Sequence, residues 1–156
     1  MKSLSIEQIN FYNKNGYILV DNVLSKEEIK ELSDVTDTFV EKSRSVTENN
    51  EDFVLEPGHS AENPKLRRLK NPEHQHKVYE KALKNKNILD IVEDLIGPNI
   101  RSHGSKLNMK APGGGSSVEW HTDWGFYPHT NDDILEVGIP LDDMEIENGC
   151  LHAIPG

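Results

Sequence analysis

Cysteine is nearly missing: Cys150 is the only one in 156 residues. An intrachain disulfide is therefore excluded, which suits a reducing compartment and makes the cytoplasm the expected location. No apolar run approaches the roughly 18 residues that a membrane-spanning helix needs, so no membrane partner is expected. The opening residues, Met1-Lys2-Ser3-Leu4-Ser5, lack the apolar stretch of a secretory signal. Basic residues are scarce beside acidic ones, 17 Lys and Arg against 27 Asp and Glu, for a formal charge of −10. A surface of that sign repels phosphate backbones and anionic lipid, so nucleic acid is not an expected partner, while a local basic pocket could still hold a small anion. Internal repeats and low-complexity tracts are also missing.

What is present reads as one domain over residues 1–156, with 35% hydrophobic residues and mixed charges. Ser5 with Gln8, and Ser25 with Glu28, are capping boxes that open two helices. Gly16 stops the first helix, and Ile29, Leu32, Val35 and Phe39 form an apolar stripe on the second. Tyr17 to Val20 reads as a short strand, as does Phe53-Val54-Leu55 inside a polar excursion from Ser43 to Asn63. A further helical pair runs from about Glu73 to Leu83 and from Asn87 to Ile96, ended by Gly97-Pro98. After Pro98 the texture changes to short apolar or alternating runs separated by turn residues. Ile100 to His103, Lys106 to Lys110, Val118 to Asp123, Ile134 to Leu141 and Cys150 to Ile154 are the expected strands. The helical part thus covers about 1–97 and the strands about 98–156, an α+β arrangement with a sandwich or jelly-roll core.

The segment with the most chemistry is Val118-Glu119-Trp120-His121-Thr122-Asp123-Trp124. On a strand, residues two apart project to one face, so His121 and Asp123 would present an imidazole nitrogen and a carboxylate oxygen together. That is two-thirds of the 2-His-1-carboxylate set that leaves open positions on Fe(II). His-x-Asp alone is common, and a surface pair is the plain alternative. The flanking Trp120 and Trp124 and the preceding Gly-rich loop suggest a walled pocket. Cys150 reads as a small core residue, and His152 as a packed or edge histidine.

Lys106-Leu107-Asn108-Met109-Lys110-Ala111-Pro112-Gly113, then Trp120 to Trp124, then Phe126-Tyr127-Pro128-His129-Thr130-Asn131-Asp132-Asp133, resembles the phytanoyl-CoA dioxygenase family of Fe(II)/2-oxoglutarate-dependent oxygenases. Asp142-Asp143-Met144, Glu147 to Leu151 and Ile154-Pro155-Gly156 resemble it as well, and the helices before Lys106 do so more loosely. The resemblance implies helices packed on a double-stranded β-helix, a cupin-like jelly roll incomplete at its C-terminal end. It implies hydroxylation of a small molecule with Fe(II) and 2-oxoglutarate, with His121 and Asp123 as metal ligands. Lys106 and Asn108 would line the 2-oxoglutarate pocket. Trp124, Phe126 and Tyr127 would stand at the substrate mouth, or pack as core. His129, after Pro128, takes a substrate-side or turn role. The retained Asp123 argues against halogenation, since related iron halogenases carry a small residue there, and Thr122 replaces a frequent glutamine.

The resemblance also places a second histidine ligand, and an arginine that clamps the far carboxylate of 2-oxoglutarate, beyond Gly156. The expectation is a chain with two of three ligands. It would be a fragment of a longer product, or would associate through exposed sheet edges. A non-catalytic or degenerate module, or a metal-binding jelly roll that does not use 2-oxoglutarate, are the alternatives.

Overall fold

The computed structural model describes residues 1–156. Helix α1 (Ile6–Asn15) opens on the reciprocal Ser5–Gln8 capping box and closes on Gly16 at φ +78°, whose N–H donates to the Tyr12 carbonyl. Helix α2 (Lys26–Ser43) opens on the second box, Ser25 with Glu28. Both boxes satisfy N–H groups that a helix start otherwise leaves without acceptors. The helix expected from Glu73 to Leu83 is divided into α3 (Pro72–Gln75) and α4 (Lys77–Leu83). His76 breaks it: its backbone is extended at φ −154°, and its imidazole accepts the Val78 N–H as the cap of α4. Helix α5 (Lys86–Ile96) is capped by Asn85, and the Gly97 N–H donates to the Glu93 carbonyl.

Three antiparallel strands form one sheet in the order β1 (Phe53–Leu55), β2 (Leu66–Lys70), β3 (Lys106–Asn108). Phe53 faces Leu69 and Leu69 faces Leu107, while Arg68 faces Asn108 and Lys70 faces Lys106. Alternation over Arg68–Lys70, with a register shift at Arg67 that brings Leu66 back to the side of Leu69, divides the sheet into an apolar face and a basic one. Leu69, fully buried at 0% exposure, packs with Leu66, Leu32 and Phe39 of α2, and Val78 and Tyr79 of α4. The Tyr79 hydroxyl lies 2.9 Å from Thr36 Oγ1, so the polar tip inside this cluster has a partner. A carboxylate straps the chain start to α5: Asp94 accepts the N–H groups of Lys2, Ser3 and Leu4 at 2.7–2.9 Å. Those bonds, Leu4's foremost, hold the Asp94 carboxyl well below the usual carboxylate range. No helix is long and apolar enough to cross a membrane.

The mixed helix-and-sheet class and the packing of helices on the sheet agree with the sequence reading, but most of the expected strands do not form. Tyr17 to Val20, Ile100 to His103, Val118 to Asp123, Ile134 to Leu141 and Cys150 to Ile154 carry no ladder. A strand exists only where a neighbour completes its hydrogen bonds, and these segments lie beside none. Phe53–Leu55 and Lys106–Asn108 do pair, on either side of Leu66–Lys70, a strand not expected from the sequence, whose adjacent arginines break the alternation. The cost in burial is large. Only 13 residues are buried, and the accessible surface is 11208 Å², against roughly 7,900 Å² for a folded monomer of this mass. Much of the excess is apolar and lies after Pro98, at Trp120, Phe126, Leu151 and Ile154 among others.

Candidate metal and substrate site

The free face of the sheet looks onto a loop region that is tied to it by one buried acid. Glu56, 4% exposed, follows β1 and accepts the Ser116 N–H at 2.9 Å and the Ser116 hydroxyl. Arg67 Nε lies 3.8 Å away. Burial by itself pushes the Glu56 carboxyl up. The two bonds from Ser116, with the charges of Arg67 and Lys110, outweigh it and hold the group below the usual carboxylate range. Lys110 Nζ donates to the Ser116 carbonyl. Gly115 sits where a Cβ would come 3.2 Å from Lys110 Cδ and 3.5 Å from Glu56 Oε1, so only glycine passes between the two without a shift. This latch fixes the Gly-rich loop, residues 112–117, just before His121.

His121 and Asp123 are not on a strand. They flank Thr122, whose φ −115° and ψ 136° are extended, and Asp123 then begins a single 3₁₀ turn, Asp123–Gly125. One extended residue suffices to bring the side chains together, and His121 Nε2 lies 3.6 Å from Asp123 Oδ1. His121 Nδ1 is 2.7 Å from the Glu119 carbonyl, to which it must donate, because a carbonyl only accepts. In the neutral ring Nε2 then keeps its lone pair toward a carboxylate oxygen. Two lone-pair donors facing each other is an arrangement that a cation relieves, and the Nδ1–H bond fixes the tautomer a metal would require. No third His, Cys, Asp or Glu joins the pair to make a set of three. The donors present fit part of an Fe(II) coordination sphere.

Lys106 on β3 reaches the Tyr127 hydroxyl at 3.3 Å and Glu136 at 3.4 Å. Burial lowers the Lys106 ammonium, but the Tyr127 hydroxyl and the Glu136 charge raise it further, so the net shift is upward. The Asp123 carboxyl lies near Glu136 as a second acid. That neighbouring acid, and then burial, lifts Glu136 above the usual carboxylate range against the pull of Lys106. Asn108, expected beside Lys106, accepts Arg68 Nε at 2.9 Å. Trp124 donates its indole N–H to Asp132 at 3.1 Å and meets His129 at a tilt of 60°, 4.5 Å between centroids. His129 Nδ1 donates to the Tyr127 carbonyl. His152 lies edge-on to Trp120, and Cys150 Sγ is 3.7 Å from its Nε2.

The walled pocket expected from the two tryptophans is not closed: Trp120 is 67% and Trp124 56% exposed, each met by a single histidine, His152 and His129. Sequence reasoning missed Glu136, Arg68 and Glu56. Glu136 had a visible sign, a single acid between Leu135 and Val137 in an otherwise apolar run. Arg68 and Glu56 depend on pairings across 40 and 60 residues, which no local pattern shows.

The family profile described as "Phytanoyl-CoA dioxygenase (PhyH)" matches residues 12–156. Over 150 residues the chain is 35% identical to the "Probable alpha-ketoglutarate-dependent hypophosphite dioxygenase" of Stutzerimonas stutzeri, covering 96% of this chain and 52% of that protein. It is 27% identical over 149 residues to the L-proline trans-4-hydroxylase of Streptomyces griseoviridis, covering 93% and 52%. In three dimensions it is similar to the crystal structure of EctD from S. alaskensis with bound Fe, with a TM-score of 0.66 at 21% identity over 78% of this chain and 41% of that one. The likeness extends to the fold, a mixed helix-and-sheet one. The chain belongs to the phytanoyl-CoA dioxygenase family. It spans about half the length of the curated relatives it matches.

Proposed function

We propose that this chain carries the helical layer and part of the iron site of an Fe(II)/2-oxoglutarate-dependent dioxygenase that oxidises a small molecule. The observation that carries the reading is the convergence of His121 Nε2 and Asp123 Oδ1 at 3.6 Å, with the tautomer fixed from the Glu119 carbonyl. The relatives named as dioxygenases and a hydroxylase support the reaction class. Iron with 2-oxoglutarate supplies the oxidising power drawn from dioxygen. The chain's own residues position and shield. His121 and Asp123 hold the metal, and Lys106, with Asn108 beside it, meets the carboxylates of 2-oxoglutarate. Trp124, Tyr127 and His129 shape the substrate side. The whole acts as one domain in the cytoplasm, where the lone Cys150 stays reduced, with no nucleic acid or membrane partner. A third ligand comes from outside the residues described.

Anaerobic titration with Fe(II), with and without 2-oxoglutarate, tests this. The expected result is a weak visible charge-transfer band that needs both additions, develops only at high iron because two protein donors hold the metal loosely, and is lost in His121→Ala. No band at millimolar iron would sink the reading. It would favour the second one, a non-catalytic module, to which the lack of a three-donor set already points.

The uncovered apolar residues after Pro98, with the open edges of the three-stranded sheet, make self-association the expected behaviour. Sedimentation velocity over a concentration series should show species larger than a 17.7 kDa monomer. A single concentration-independent monomer peak would refute it.

A further inference from the structure

The connection between β1 and β2 is pinned to the end of α2 by two side chains of different character. Arg44, at the C-terminal cap of α2, donates from Nη1 to the Ala61 and Glu62 carbonyls at 2.7 and 3.2 Å. Glu41 holds the same guanidinium, 2.7 Å from Nε. That fastening keeps its positive charge at any ordinary pH. The other is His59. Pro57 and Gly58 turn the chain, with Gly58 at φ +80° as the third position of a type II turn requires, and the His59 N–H closes the turn on the Glu56 carbonyl at 3.1 Å. The half-buried imidazole then spans two elements. Lys65, the residue before β2, donates its N–H to His59 Nδ1 at 2.8 Å. A backbone N–H only donates, so Nδ1 carries no proton and Nε2 must carry one. Nε2 lies 3.0 Å from the carbonyl of Ser43, the fully buried last residue of α2, and therefore donates to it.

Only the neutral ring makes both bonds. A proton added at Nδ1 turns the acceptor into a second donor, facing an N–H that then has no acceptor. The Ser43 bond survives, since Nε2 still donates and a cation is favoured at the carboxyl end of a helix. We propose that His59 is a pH-operated clasp. Neutral, it ties the start of β2 to the end of α2; protonated, it stays on α2 and lets β2 go. The charged groups around it come from every element it joins. Glu41 and Arg44 belong to α2, Glu56 follows β1, Glu62 and Lys65 lie in the connection, and Arg67 lies on β2. The carboxylates favour a charged ring and the cations oppose it. The clasp has a route to the loop before His121. The Lys65 carbonyl accepts the Glu56 N–H at 2.8 Å, and the Glu56 side chain holds Ser116. Release at Lys65 therefore loosens the backbone behind the latch on the Gly-rich loop. Histidine is the side chain that changes charge between about pH 5 and 8. Glu56, held below the usual carboxylate range, stays ionised over that span, so the clasp opens while the acid of the latch is unchanged. The inference does not rest on the oxygenase reading, since it needs neither iron nor 2-oxoglutarate.

Amide exchange of the full chain between about pH 8 and pH 5, followed by magnetic resonance and corrected for the intrinsic pH dependence of exchange, tests it. Protection of the Lys65 amide is expected to fall by about tenfold or more on acidification, the effect of an N–H left without its acceptor. The Phe39 amide, inside α2, should keep its protection. The nitrogen shifts of the His59 ring should show Nδ1 without a proton at the upper pH and with one at the lower. His59→Gln offers one acceptor and one donor and does not titrate, so it should abolish the pH response at Lys65. His59→Ala should leave Lys65 weakly protected throughout. Arg44→Gln should loosen the connection equally at both ends of the range and leave the pH response in place. Constant Lys65 protection in the parent, a response that persists in His59→Gln, or a ring with its proton on Nδ1 at the upper pH would each overturn the clasp. Circular dichroism shows which variants fold, and should both His59 variants fail to fold, the pH series and ring shifts of the parent decide alone.

Discussion

Leu69→Ala is expected to destabilise the chain by about 3 kcal/mol, the middle of the range for a leucine emptied from a packed core. Leu69 is the central residue of β2, has no exposed surface, and touches both the strands beside it and the helices above it. Natural domains of ordinary size hold about 5–15 kcal/mol in total, and a chain with 13 buried residues belongs near the lower end. Thermal or urea unfolding followed by far-ultraviolet circular dichroism should show the transition moved strongly down or lost. Leu107→Ala, at a partly buried position in the same row, should cost less. Equal losses at the two positions would mean that the cluster is not centred on β2.

The second large effect is expected at Glu56. Replacing it by alanine leaves the Ser116 N–H, the Ser116 hydroxyl and the Arg67 guanidinium without their acceptor, at a cost of about 1–3 kcal/mol. The change should be felt most in the Gly-rich loop. Amide exchange at Ser116 should quicken while exchange in α2 stays slow, and an unchanged Ser116 rate would show that the latch is not what holds the loop. The pH dependence has a definite sign. The folded carboxyl lies below its unfolded value of about 4.3. Its stabilisation is therefore complete above that value and is lost as pH falls through the folded one. In Glu56→Gln this part of the acid limb should disappear.

What could be read in advance follows the range of the interactions. The capping boxes at Ser5 and Ser25 and the stop at Gly16 involve residues within a few positions of each other, and all are where the sequence placed them. The proximity of His121 and Asp123 was legible for the same reason, since it needs only one extended residue between them. The strand around them was not, because a ladder depends on a partner elsewhere in the chain. Alternation in Ile134 to Leu141 states a preference for pairing and leaves open whether a neighbour exists. β2 was hidden in the opposite way. Leu-Arg-Arg-Leu-Lys looks unlike a strand alone, and becomes one because β1 and β3 flank it and Leu66 and Leu69 face the helices.

The division of β2 into two faces also limits how this protein can change. Across Arg68–Lys70 successive residues serve opposite purposes, leucine toward the helices and cations toward the loops, and the register shift at Arg67 returns Leu66 to the helix side. Inserting or deleting one residue within Leu66–Lys70 would exchange them, driving Arg68 and Lys70 into the apolar layer and turning Leu69 outward. The same change between Glu56 and Lys65, where the chain runs over the surface, would leave the strand's phase untouched. Length variation among relatives of this chain should therefore collect in that connection and avoid the five residues of β2.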